Sequence, residues 1–186
     1  MIIDSNEQFK KYNFSSTITA EDNKTAINCI KDIISSGNYF TNSPRYQTKE
    51  NIFGRSEPIW LKYRMSFLFS VFMYLGKEVR VSNMMAWSFM TSLKHVENRE
   101  NLWHNHATPG VKKLSGIFYL HIPEDVADRD TCGTEMALDG PKGTDKLYVR
   151  PTEYSWLIYP SETWHRPGIV QSQQDRFIIA VDVEYQ

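Results

Sequence analysis

The chain has 186 residues, enough for one domain with a sizeable core and short for two. Apolar residues make up 41% and charged residues 23%, ordinary globular usage that argues against disorder. The formal net charge of -1 offers no basic surplus for nucleic acid or an anionic membrane surface, so neither is expected as a partner.

The first predicted element is a helix. Thr19 is placed to cap it, Ile27, Ile30 and Ile34 recur at helical spacing, and Gly37 ends it after Ser35 or Ser36. A turn-rich connector over residues 38–55 follows, marked by Ser43-Pro44 and Phe53-Gly54. The second helix has Ser56 as cap, Pro58 in the first turn and Gly76 after the last. Trp60, Tyr63, Phe67, Val71, Tyr74 and Leu75 form its broad apolar stripe, expected to pack on a sheet. From Met84 the period shortens, and residues 84–93, 102–107, 114–122, 155–159 and 176–185 read as strands. A single domain is expected over 1–186, with helical support from 1–83 and a β core from 84–186, arranged as an antiparallel sandwich or jelly roll.

Cys29 and Cys132 stand in no paired spacing and read as free thiols in a reducing cytoplasm. Met1-Ile2-Ile3-Asp4 lacks the basic and apolar regions of a secretory signal, and the apolar run 67–75 is too short to span a bilayer. A cytoplasmic protein is the expectation.

All five histidines fall between residues 95 and 165. In a strand, His104 and His106 point to one face and can reach one metal ion; the other reading is two half-exposed histidines at a strand end. His165 follows the apolar strand Trp156-Leu157-Ile158-Tyr159, at a rim where distant strands converge; it also fits a turn histidine bonded to backbone. Arg176 opens the apolar run Arg176-Phe177-Ile178-Ile179-Ala180-Val181, where a guanidinium is costly to bury without a planar anion; solvation at the strand edge is the alternative. Trp87, Ser88 and Met90 read as core or as pocket wall, and residues 41–53 as a surface connection or a substrate loop. His95 and His121 read as ordinary histidines, His121 at the end of its strand with a local partner.

The stretch Trp103 to Tyr185 resembles the 2-oxoglutarate- and iron(II)-dependent oxygenases, especially the prolyl-hydroxylase-like branch and its small bacterial and phage members. Its pieces are His104-Asn105-His106, the strand Leu114-Ser115-Gly116-Ile117-Phe118-Tyr119-Leu120, and the Gly-led stretch Cys132-Gly133-Thr134-Glu135-Met136. Then come Trp156 to His165 and Arg176, eleven residues beyond.

The resemblance implies a double-stranded β-helix (a cupin-like jelly roll) and an enzyme with Fe(II) held by His104, His106 and His165. Its cosubstrate would be 2-oxoglutarate, with Arg176 on the far carboxylate and Tyr119 adding a hydrogen bond. The family pattern more often has a carboxylate at the position of His106, which makes Glu135 the alternative third ligand. The implied reaction is hydroxylation of a C–H bond in an amino-acid, peptide or small-molecule substrate, with release of succinate and carbon dioxide. Two rivals stand beside it: a three-histidine cupin-type dioxygenase that needs no cosubstrate, and a non-catalytic binding module.

Overall fold

The computed structural model describes residues 2–6, 8–40, 46–94, 103–126 and 131–186. Two short strands come first, β1 (Ile2–Ser5) and β2 (Lys10–Asn13), then helix α1 (Ala20–Ser35), strand β3 (Tyr46–Gln47), a 3-10 turn at Ile52–Gly54 and helix α2 (Pro58–Leu75). The remaining strands are β4 (Val81–Thr91), β5 (Lys112–His121), β6 (Thr134–Ala137), β7 (Lys146–Val149), β8 (Ser155–Pro160), β9 (Trp164–Pro167) and β10 (Arg176–Tyr185). Seven form one sheet in the order β1-β2-β8-β5-β10-β4-β3, and three form a second in the order β7-β6-β9. Every pairing is antiparallel, as a sandwich of this kind requires.

Alternation along the strands assigns the two faces of the large sheet. Leu114, Phe118, Trp156, Ile158, Phe177, Ile179, Val181 and Val183 share one core with Ile30 and Ile33 of α1 and Trp60, Tyr63, Phe67 and Val71 of α2. Ile117, Tyr119, Leu157, Tyr159 and Ile178 point the other way, into a second core with Cys132, Met136 and Val149 from around the small sheet. Gly116 lets α2 come close, because a Cβ there would lie 2.5 Å from the Phe67 ring. Beyond its buried stripe, α2 also carries exposed Leu61, Met65, Phe69, Phe72 and Met73 on its outer face.

The helices follow their sequence signals with one correction. Thr19 caps α1 in a capping box with Asp22. Gly76 closes α2 in the left-handed region at φ 68°, which a glycine adopts without strain. Ser56 is not the cap of α2: Glu57 holds that position without a side-chain bond, and Pro58 at the first turn starts the helix by its fixed φ.

Two strand expectations change as well. Residues 1–83 are not helical support alone, since β1 and β2 extend the large sheet beyond β8. They escape a hydrophobic pattern because Lys11 is buried in β2, its ammonium donating to the Arg150 carbonyl at 2.8 Å and lying 3.6 Å from Asp4. The strand expected over 102–107 is reduced to an antiparallel bridge between His104 and His165; Leu102 lies outside the described residues.

Candidate metal centre

The histidines are brought together by backbone pairing between segments about sixty residues apart. The His104 N–H donates to the His165 carbonyl at 3.1 Å, and the His165 N–H returns to the His104 carbonyl at 2.9 Å. Two residues on, the His106 N–H donates to the Ser161 carbonyl at 2.8 Å, which keeps this stretch extended against the turn between β8 and β9. Both side chains therefore leave the backbone on the same side, as strand parity predicts, though the segment is not a full strand.

His104, His106 and His165 each offer one ligand nitrogen, and the three lie within 4.8 Å of one another. Ring centroids are 4.4 Å apart for His104 and His165, 5.3 Å for His104 and His106, and 5.2 Å for His106 and His165. His165 is buried, and burial, followed by the neighbouring His104, pushes its pKa down to about 3. A neutral imidazole is the ligand form. Its Nδ1 lies 3.0 Å from the Thr163 carbonyl, which can only accept, so Nδ1 carries the proton and Nε2 keeps its lone pair.

His106 is oriented from behind by Asp182. Its Nδ1 lies 2.7 and 2.8 Å from the two carboxylate oxygens. Burial raises the Asp182 carboxyl, but the His106 hydrogen bond and charge, with Ser115 and Lys113, outweigh it and hold the pKa below the usual range. Asp182 thus accepts the Nδ1 proton and leaves Nε2 of His106 as the donor to a metal. This carboxylate–imidazole pairing is the common support of metal-bound histidine. Three converging imidazole nitrogens fit a divalent first-row transition ion.

The cluster opens onto a cavity of about 260 Å³ between the sheets, lined among others by Gln47, Trp87, Phe89, Tyr159, Ile178 and Ala180. Of the pocket residues considered from sequence, Trp87 is on the cavity side, its ring 5.8 Å from that of His106. Ser88 and Met90 alternate to the opposite face of β4: Ser88 is buried and Met90 packs against the helical core. Gln47 in β3 belongs to the connector, so that segment does reach the cavity; residues 41–45 lie outside the described residues.

Arg176 is not solvated at an edge. It is 1% exposed, and burial lowers its pKa. Its Nη1 donates to the Cys132 carbonyl, while Nε and Nη2 are buried without a partner among the described residues. On β10 it lies two residues before Ile178, on the same face as that cavity-lining residue. Tyr119 is buried on the same face of the large sheet; burial pushes its hydroxyl well above the usual phenol range, against the Thr134 hydrogen bond and the Arg176 charge, and the hydroxyl lies 2.8 Å from Thr134 Oγ1 across the sheets. Two orphaned donors on a buried cation fit a small carboxylate, which would satisfy both.

The other candidates are placed apart. Glu135 pairs with Arg166 at 2.7 Å, while its neighbour Met136 is the residue registered with His165, so the Glu135 side chain leaves the opposite face of β6. His121 pairs with Glu153 at 3.2 Å. His95 lies outside the described residues. Asp182 was missed from sequence, although it interrupts the apolar run of β10 at an even spacing from Arg176, which assigns it to the same face.

No family model and no curated protein matches the sequence. Solved structures do match. A Pseudomonas putida prolyl-4-hydroxylase aligns with TM-score 0.63 and 11% identity over 96% of this chain and 93% of that one. The viral collagen prolyl hydroxylase of Paramecium bursaria Chlorella virus-1, solved with 2-oxoglutarate, gives 0.60 and 13% over 96% and 97%. The non-heme α-ketoglutarate-dependent carbocyclase SnoK of nogalamycin biosynthesis gives 0.69 and 10% over 96% and 80%. At identities this low the likeness is one of fold: the chain has the fold seen in the prolyl-4-hydroxylases and related 2-oxoglutarate-dependent oxygenases.

Proposed function

We propose that the protein is a 2-oxoglutarate- and Fe(II)-dependent oxygenase that hydroxylates a C–H bond of a peptidyl or small-molecule substrate. The observation that carries this reading is the meeting of His104, His106 and His165 beside a cavity, on a fold shared with solved enzymes described as α-ketoglutarate-dependent or bound to 2-oxoglutarate. His106, not Glu135, is the third ligand in this proposal, because Glu135 is engaged with Arg166 on the far face of β6.

When bound, iron and 2-oxoglutarate would supply the oxidising chemistry: 2-oxoglutarate loses carbon dioxide to become succinate, with one oxygen atom of O2 ending in succinate and the other in the hydroxylated product. The chain's own residues bind and orient. Thr163 and Asp182 fix the tautomers of His165 and His106 so that both present Nε2. Arg176 takes the far carboxylate of the cosubstrate on its two unpartnered donors, with the Tyr119 hydroxyl beside it. Trp87, Phe89, Ile117 and Ala180 keep the cavity wall apolar, which excludes water from the reacting carbon. Three protein ligands leave no position for a halide, so hydroxylation is the outcome assigned.

The test is succinate release from protein purified without oxygen and supplied with Fe(II), 2-oxoglutarate and O2. Uncoupled turnover should give succinate slowly without substrate, and His165→Ala should abolish it. The histidine triad also suits a three-histidine dioxygenase that needs no cosubstrate; oxygen uptake with a thiol and no succinate would favour that enzyme. It would leave the two buried donors of Arg176 without a purpose. Among the described residues no helix is long and apolar enough to cross a membrane.

A further inference from the structure

Building on the proposed metal centre, we infer that Asp182 is a positioning residue that delivers negative charge to the metal through His106. Three imidazoles are neutral ligands, so a divalent ion among them carries its full charge into a half-buried site. Asp182 is the one acidic side chain among the described residues lining the cavity, and it stands directly behind one ligand. Its side chain is only 12% exposed, on a face of β10 where the flanking positions are Ala180, toward the cavity, and Glu184, toward the strand end. A carboxylate there is costly to bury, and an apolar residue would pack that position more cheaply.

Its hydrogen bonds close a ring. Ser115 Oγ donates to Asp182 at 2.7 Å, and since its single proton is committed there, Ser161 Oγ donates to Ser115 Oγ at 2.9 Å. The Ser161 carbonyl accepts the His106 N–H at 2.8 Å, and the His106 ring returns to Asp182. His106 is thereby held at its backbone and at its ring by one connected network, with Lys113 Nζ 3.5 Å from Asp182 Oδ2, an oxygen that also faces the His106 ring. A lone surface ion pair would not need this support. The ring fixes the direction of Nε2, and the carboxylate makes the imidazole a stronger donor. The registered pair Asp182 and Ser115, on adjacent strands, builds this into the large sheet itself.

Cobalt(II) without cosubstrate tests the assignment, read by affinity and by its visible d–d spectrum. Asp182→Asn keeps an oxygen that accepts the Nδ1 proton but loses the charge; Asp182→Ala loses both. Affinity should fall about tenfold in Asp182→Asn and nearer 100-fold in Asp182→Ala, the range for losing such a partner. The spectrum of Asp182→Ala should change, and the thermal midpoint of metal-free Asp182→Asn should stay near wild type. His165→Ala serves as the reference that has lost a ligand. Wild-type affinity in both Asp182 variants, with His165→Ala deficient, would overturn the role of Asp182 and leave the centre standing. Weak cobalt binding by the wild type would overturn both. Retention of cobalt by His106→Ala but not by Asp182→Asn would make Asp182 itself the ligand, and a defect confined to an unstable Asp182→Ala would make it merely structural; either result defeats the inference.

Discussion

The two faces of the large sheet are made by the same strands and do different work. On β10, Phe177, Ile179, Val181 and Val183 face the helices, while Arg176, Ile178, Ala180 and Asp182 face the small sheet. On β5 the division repeats: Leu114, Phe118 and Leu120 against Ser115, Ile117 and Tyr119. The helix face is mostly apolar and closes by shape, as with the Phe67 ring over Gly116, and its polar groups are neutral ones such as Tyr63, whose hydroxyl donates to Asn23 Oδ1 at 2.7 Å. The other face buries a guanidinium, a carboxylate, two tyrosines and a serine, each requiring a partner. Apolar burial on one side supplies the stability that lets the other side keep polar groups, including two donors with no partner among the described residues.

The sharpest way to break this comparison is to damage only the helix face. Phe118 is fully buried, with ring centroids 5.1 Å from both Tyr63 and Trp156. Phe118→Ala should cost about 3–5 kcal/mol of stability by denaturant unfolding, with cobalt affinity unchanged in the protein that remains folded. A matching loss of metal affinity would mean that the faces are coupled.

Arg176→Met tests the opposite side. It should weaken 2-oxoglutarate binding by about 2–5 kcal/mol, the cost of losing one member of a buried charged pair. The metal-free protein should be as stable as wild type or more so, since an apolar side chain replaces a buried cation whose pKa burial already depresses. Calorimetric titration and thermal unfolding read the two effects separately, and unchanged cosubstrate affinity would remove Arg176 from the site.

The smallest effect is in pH. The folded-state pKa of His165 lies near 3 against an ordinary value of 6.5, so between those limits the unfolded chain binds the extra proton. Above pH 6.5 the group is neutral in both states and has no effect; as pH falls from 6.5 toward 3, it removes stability at up to about 1.4 kcal/mol per pH unit. Urea unfolding of metal-free wild type and His165→Gln at pH 7, 6 and 5 should show a steeper decline in the wild type. Parallel curves would show that His165 is not held neutral by the fold.

Much of the helix face was legible from the chain alone. Both helices follow from their spacing and end signals, and β10 runs over the same residues, 176–185, that the apolar pattern marks. The small sheet was harder, because β7 and β9 have only four residues each and take their stability from partners far along the chain. The start of α2 misled because a serine is a better cap than the glutamate that occupies the position. At the site, His104, His106 and His165 stood out as metal-binding residue types at a suggestive spacing, whereas Asp182 looked like one acid in a strand.

Residue spacing by itself determined which side chains share a face: parity along β5 and β10 puts Ser115, Tyr119, Arg176 and Asp182 opposite the apolar set, wherever those strands pair. Tertiary structure decided which of them meet. The His104–His165 bridge brings distant histidines to one point, and the register of Asp182 with Ser115 sets a carboxylate behind His106. Parity is local backbone geometry, while register and bridging depend on how the whole antiparallel ladder closes, so the first is written residue by residue and the second only in the folded sheet.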